Sequence, residues 1–132
     1  MSRELYWLAL TLGVAALFSL PYVLNRVFVR GILGTIANPS PTEKPQAAWA
    51  QRAQRAHANA TENLVVFAPA VLAVNAIGRF DAMTAAACMV YFYARLIHYV
   101  VYTLGIPGAR TLAWFGGWAA TLAMIGRLLG LA

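Results

Sequence analysis

Polar and apolar residues fall in blocks along this chain, and the apolar blocks have the length of membrane spans. They run from Leu5 to Leu24, Asn63 to Ile77, Ala82 to Leu104 and Thr111 to Leu131. A helix needs roughly 20 mostly apolar residues to cross the hydrocarbon core. Each block approaches that length, the second only with the polar stretch that precedes it. Turn chemistry separates them. Asn38-Pro39-Ser40-Pro41-Thr42-Glu43-Lys44-Pro45 forms the only long loop, because prolines so closely spaced cannot continue a helix. Gly78-Arg79-Phe80-Asp81 makes a tight return with Asp81 placed to cap the next helix, and Gly105-Ile106-Pro107-Gly108 breaks the third block from the fourth. The pattern predicts an all-α membrane protein, a four-transmembrane-helix bundle forming one domain over residues 1–132.

The first helix is expected to run past Pro21, kinked there, through Tyr22 to Val29, with Arg26 and Arg30 one turn apart, and to be ended by Gly31, Gly34 and the proline loop. Its early position suggests a secretory signal, but no small-x-small cleavage site follows, so it reads as a retained anchor. The second helix is expected to begin near Ala47 and to carry about four turns of mixed polarity before its apolar half. Pro69 is a possible bend. The fourth carries Gly116, Gly117, Ala119, Ala123, Gly126 and Gly130, small residues that let helices approach closely in lipid. A bundle this small gains from sharing helix faces with other copies, so an oligomer is expected.

Composition agrees with a membrane protein: of 132 residues, 61% are hydrophobic and 11% charged. The net charge of +6 is spread unevenly. With alternating helices, Arg26, Arg30, Lys44, Arg52, Arg55 and Arg110 share one side, while Arg3, Arg79 and Arg127 stand opposite with Glu4 and Asp81. The positive-inside rule then puts the basic loops in the cytoplasm and both termini on the other side. Such a face suits anionic lipid or an anionic soluble cofactor. The absence of a basic domain outside the membrane argues against nucleic acid. Cys88, the single cysteine, offers no disulfide or cysteine metal cluster and reads as packing. Two histidines and one deep carboxylate without ligand spacing argue against a metal site.

The polar residues inside the spans carry the chemistry. Arg55, Asn59 and Glu62 stand at i, i+4 and i+7, one stripe of the second helix; Arg95, His98 and Tyr102, at i, i+3 and i+7, form a stripe on the third. Arg95 lies about 14 Å along its helix from the Gly105 break, beyond easy snorkelling. Ionisable groups at such depth are costly and mark functional sites by default. The two helices run antiparallel, so both stripes lie in the basic half of the membrane, near Arg30 and Arg110. Several cations, one carboxylate, an amide, an imidazole and phenols suit a zwitterionic ligand with excess negative charge. A self-satisfied network, such as Glu62 with Arg95, is the alternative. His57 has no oriented partner in the sequence and reads as interfacial, and Trp7, Trp49, Trp114 and Trp118 read as belts or packing. A small proton-coupled multidrug transporter would also have four short helices, but Leu5 to Leu24 lacks the membrane carboxylate that class uses.

Arg52-x-x-Arg55-Ala56-His57-x-Asn59-x-x-Glu62 before an apolar run with proline, Ala94-Arg95-x-x-His98-x-x-x-Tyr102, and Pro107-x-x-Arg110-Thr111 together resemble the MAPEG family, the membrane-associated proteins in eicosanoid and glutathione metabolism. Ile36-Ala37-Asn38-Pro39 fits as well, and the look is nearest to the microsomal glutathione transferase and prostaglandin E synthase branch. The resemblance implies a homotrimer with glutathione between adjacent subunits on the cytoplasmic side, and lipophilic small-molecule substrates arriving through membrane lipids. It also implies glutathione contacts at Arg30, Asn59, Glu62, His98, Tyr102 and Arg110, with Arg95 supporting them or near the thiol. Arg110 would stabilise the glutathione thiolate, and the Thr111 hydroxyl would be a second donor. The implied activity is a glutathione-dependent transferase or peroxidase acting on lipophilic electrophiles; a non-catalytic lipid-binding or scaffold member is the alternative. Ala58 stands where close relatives often carry arginine, Trp114 where tyrosine is common, and Pro41 where the prostaglandin synthase has an acidic residue, which argues against that isomerisation.

Overall fold

A computed structural model describes residues 1–131, and among these all regular structure is helical. Five helical segments occur: α1 (Arg3–Leu17), α2 (Ser19–Ile36), α3 (Ala48–Ala76), α4 (Ala82–Leu104) and α5 (Pro107–Leu129). α1 and α2 form one kinked rod, so the bundle has the four helices that the hydropathy blocks predict. Arg3–Ile36, α4 and α5 are each long and apolar enough to cross a membrane. α3 has the length but not the composition, because its first half is the polar stretch. The protein is an integral membrane protein.

Local chemistry sets the boundaries. The Ser2 hydroxyl accepts the Leu5 N–H at 3.2 Å and caps α1. Asp81 caps α4 as the sequence predicts, and Thr84 completes a reciprocal box that the sequence reading did not include. Gly105 (φ 81°) ends α4 in the left-handed conformation that glycine adopts without strain. Pro107 then opens α5 at its first turn, four residues before the apolar block begins at Thr111. The helix is interrupted at Phe18, one turn before Pro21, and the backbone leaves helical geometry farther on, at Gly31 (φ 70°, ψ 174°), the first of the glycines expected to end it. Proline has no N–H to give the carbonyl one turn back, Leu17, so the helix breaks on the preceding turn. The freed geometry is used: the Tyr99 hydroxyl donates to the Phe18 carbonyl at 2.9 Å, and the two rings stack 3.9 Å apart. α3, by contrast, continues through Pro69.

Two apolar clusters hold the bundle. One gathers Leu8, Phe67, Val71, Val74, Cys88, Tyr91 and Met124, with Phe67 and Tyr91 stacked at 3.6 Å. The other packs Phe18 and Tyr99 on Ala53, Ala56 and Ala60 of α3, whose small side chains let the neighbouring helices come close. Cys88 is a buried free thiol within the first cluster. The end of the bundle away from the long loop is stapled by polar groups. Arg127 pairs with Asp81 at 2.7 Å and donates to the Arg79 carbonyl at 3.0 Å, while the Thr84 hydroxyl donates to the buried Glu4 carboxylate at 2.7 Å. The Thr84 backbone N–H, aided by the Arg127 guanidinium, holds the Asp81 carboxyl below the usual carboxylate range, against the opposing effect of desolvation.

One face of α3 is left uncovered. Gln51, Arg55, Ala58, Glu62, Val65, Pro69, Leu72 and Ala76 are all exposed, at alternating spacings of four and three residues. That is the 3.5-residue repeat of a helix that packs against other helices.

Candidate functional site

The antiparallel arrangement of α3 and α4 brings the two polar stripes together in part. Arg95, only 3% exposed, extends its guanidinium across the bundle. Nη1 donates to Asn59 Oδ1 at 3.3 Å and Nη2 donates to the Trp114 carbonyl of α5 at 3.1 Å. The Tyr91 ring lies 5.5 Å from its carbon. A guanidinium can reach the α5 backbone only because Gly117 has no side chain: a Cβ there would fall 2.6 Å from Arg95 Nε and 2.9 Å from Cζ. The Glu62–Arg95 pairing left open by the sequence is not formed. Glu62 instead points outward, exposed and without an ion pair among the described residues.

Asn59 and Glu62 open onto a groove between α3 and α5. Its cavity, of about 440 Å³, has Asn63 beside them, and Val66, Trp118, Leu122 and Ile125 as apolar wall. Trp114 and Trp118, stacked 6.2 Å apart, lie along it.

The remaining α4 residues form a second group nearer the α4–α5 turn. His98 is 3% exposed, its Nδ1 has no hydrogen-bond partner among the described residues, and its ring meets Tyr102 edge-on at 5.5 Å. Arg110 lies over the Tyr102 ring at 4.7 Å. Arg110 and Thr111 both belong to the start of α5, the positive end of its dipole. The exposed Thr111 hydroxyl donates to the Pro107 carbonyl at 3.3 Å. Arg52 closes the α4 terminus by donating to the Thr103 carbonyl at 2.9 Å, and its guanidinium would lie a tight 3.3 Å from a Cβ at Gly105.

Arg30 stands apart from both groups. It pairs with Glu43 of the long loop at 3.0 Å and donates to the Lys44 carbonyl at 2.7 Å. It lines a separate cavity of about 410 Å³ with Arg26, Gln51 and Gln54. Gln46, buried in the loop's last turn, fixes that loop by donating to the Tyr22 carbonyl at 2.6 Å and accepting from Arg26 at 3.4 Å. Arg55 is exposed on the uncovered face of α3.

Several expectations change. His57 has an oriented partner after all, the Tyr22 hydroxyl at 2.8 Å, because the α2 extension folds back along α3. Sequence reasoning missed Asn63, whose amide donates to the Asn59 backbone carbonyl at 2.8 Å; its i+4 relation to Asn59 was the available signal. It read Gly117 only as a small packing residue, since nothing local shows that a guanidinium from another helix would occupy the space. Glu4 reads as one terminal charge in the sequence, yet it is 4% exposed against Thr84.

No curated protein and no solved structure matches the chain. The sequence profile of the MAPEG family matches residues 5–130, nearly the whole chain. With four helices, three of them fit to cross a membrane, and a polar seam buried between them, the chain belongs to the MAPEG family.

Proposed function

We propose that this protein is a glutathione-dependent transferase or peroxidase acting on lipophilic electrophiles at the membrane. One observation carries the reading: a single groove joins a polar mouth at Asn59, Glu62 and Asn63 to an apolar wall at Val66, Trp118, Leu122 and Ile125. A charged peptide and a lipid-soluble partner can meet there without either leaving its preferred medium. Asn59, Glu62, His98, Tyr102, Arg110 and Arg30 hold the tripeptide, and Arg95 supports them from behind. Arg110, at the positive end of α5, favours the thiolate over the thiol, and the thiolate is the competent nucleophile; the Thr111 hydroxyl becomes a second donor on turning from the Pro107 carbonyl, which it reaches only at 3.3 Å. The sulfur then attacks an electrophilic carbon or a peroxide oxygen presented from the bilayer, and the leaving group departs with the displaced electron pair.

The working unit in this reading is a homotrimer with the site facing the cytoplasm and the termini on the opposite side. The uncovered 3.5-residue stripe of α3 supports packing of α3 against other copies. So does the division of the site: Arg30 lines one cavity, Asn59 and Glu62 another, and His98, Tyr102 and Arg110 line neither. Neighbouring copies complete each site. The basic loops supply the sidedness argument.

Thiolate absorbance on adding glutathione to the purified protein, and conjugation of a generic aryl halide, test the proposal. Arg110→Ala should abolish the thiolate signal, and Glu62→Ala should weaken glutathione binding at least tenfold. A specific observation favours a second reading, a non-catalytic lipid-binding scaffold: Arg30 is already occupied by Glu43 and the Lys44 carbonyl. Absence of both the thiolate signal and conjugation would select it.

A further inference from the structure

We infer that Arg95, Asn63 and Gly117 form a lock on the Asn59 amide, turning its NH₂ toward the α3–α5 groove so that the site takes only a ligand presenting an acceptor oxygen there. This rests on the glutathione reading above.

An asparagine amide can present either its oxygen or its nitrogen, and its neighbours decide which. Here two donors converge on the oxygen. Arg95 Nη1 lies 3.3 Å from Asn59 Oδ1, and Asn63 Nδ2 lies 3.3 Å from the same atom while also donating to the Asn59 backbone carbonyl. A guanidinium has no acceptor, so rotating the amide by half a turn would set N–H against N–H. The orientation is therefore fixed by chemistry, and Nδ2, from which no described residue accepts a hydrogen bond, is the atom left for the ligand. Asn59 lines the groove in which that ligand would lie.

Arg95 can play this part because its own position is fixed. It is buried, bonded to the Trp114 carbonyl, and has no carboxylate partner among the described residues. Gly117 leaves the space its guanidinium fills. The causal order runs from Gly117 to Arg95 to Asn59, and Asn59 touches the ligand. The partner atom is a carboxylate or peptide carbonyl oxygen. Arg95 and Asn63 are positioning residues, since they act through Asn59.

A double-mutant cycle tests the lock, with glutathione affinity measured by calorimetry and stability by unfolding in detergent micelles. Asn59→Asp keeps an acceptor facing Arg95, now as an ion pair, so the unfolding midpoint should hold or rise. Its outward atom becomes an oxygen that cannot donate, and glutathione should bind at least tenfold more weakly. In an Arg95→Met, Asn63→Ala background both donors on Oδ1 are gone, the amide turns freely and binding is already weak, so Asn59→Asp should then cost less than threefold. Equal cost of Asn59→Asp in both backgrounds would sink the lock while leaving the glutathione reading intact. Unchanged affinity of Asn59→Asp alone would do the same, and that arm decides the matter if the variant lacking both donors does not fold. A wild-type protein that binds no glutathione would overturn the function proposal and this inference together.

Discussion

Gly117→Ala pits helix propensity against a buried cation, and the geometry says which wins. Alanine favours a helix interior by about 0.8–1.0 kcal/mol over glycine. The added methyl, however, would sit 2.6 Å from Arg95 Nε and 2.9 Å from Cζ, so the guanidinium must shift. A shift breaks its bonds to the Trp114 carbonyl at 3.1 Å and Asn59 at 3.3 Å around a side chain that is itself 3% exposed. Buried hydrogen bonds to a charged group contribute about 1.5–3 kcal/mol each. Set against the propensity gain, the net loss is about 2–5 kcal/mol. Gly116→Ala is the matched control, because a Cβ there meets only the Ala94 methyl at an ordinary 3.5 Å. It should be neutral or gain up to about 1 kcal/mol. Equilibrium unfolding in mixed detergent micelles, followed by circular dichroism, measures both. Equal stability of the two variants would refute the claim that Gly117 exists to admit Arg95.

Thr84→Val removes the hydroxyl that donates to buried Glu4 and accepts the Asp81 N–H, and should cost about 1–3 kcal/mol in the same unfolding assay. Tyr99→Phe keeps the stacked ring but loses the bond to the Phe18 carbonyl; about 1 kcal/mol of stability should go, with faster amide exchange confined to the residues around the kink. The Asp81 carboxyl titrates below its unfolded value, so its stabilising contribution is full above about pH 4 and disappears as pH falls through the depressed value. Acid titration of stability should show that loss, and Asp81→Asn should flatten it.

The sequence determined the helices, because what makes them is local. Apolar runs of spanning length, the glycine breaks at Gly78 and Gly105 and the Asp81 cap each act within a few residues, and these stand where the pattern puts them. It also determined that Asn59, Glu62, Arg95, His98 and Tyr102 share one half of the bundle, since helical periodicity and antiparallel order suffice for that. Tertiary structure decided which of them meet. Arg95 has Glu62 within plausible reach on paper, yet it bonds Asn59 and a backbone carbonyl because the space beside Gly117 admits a guanidinium. Arg30 looks like a free cation until the loop closes Glu43 over it, and His57 looks solitary until α2 brings Tyr22 alongside. Periodicity fixes a residue's face and depth; its partner depends on how far neighbouring helices slide and how closely they approach, which is set by packing summed over whole helix faces rather than by any local signal.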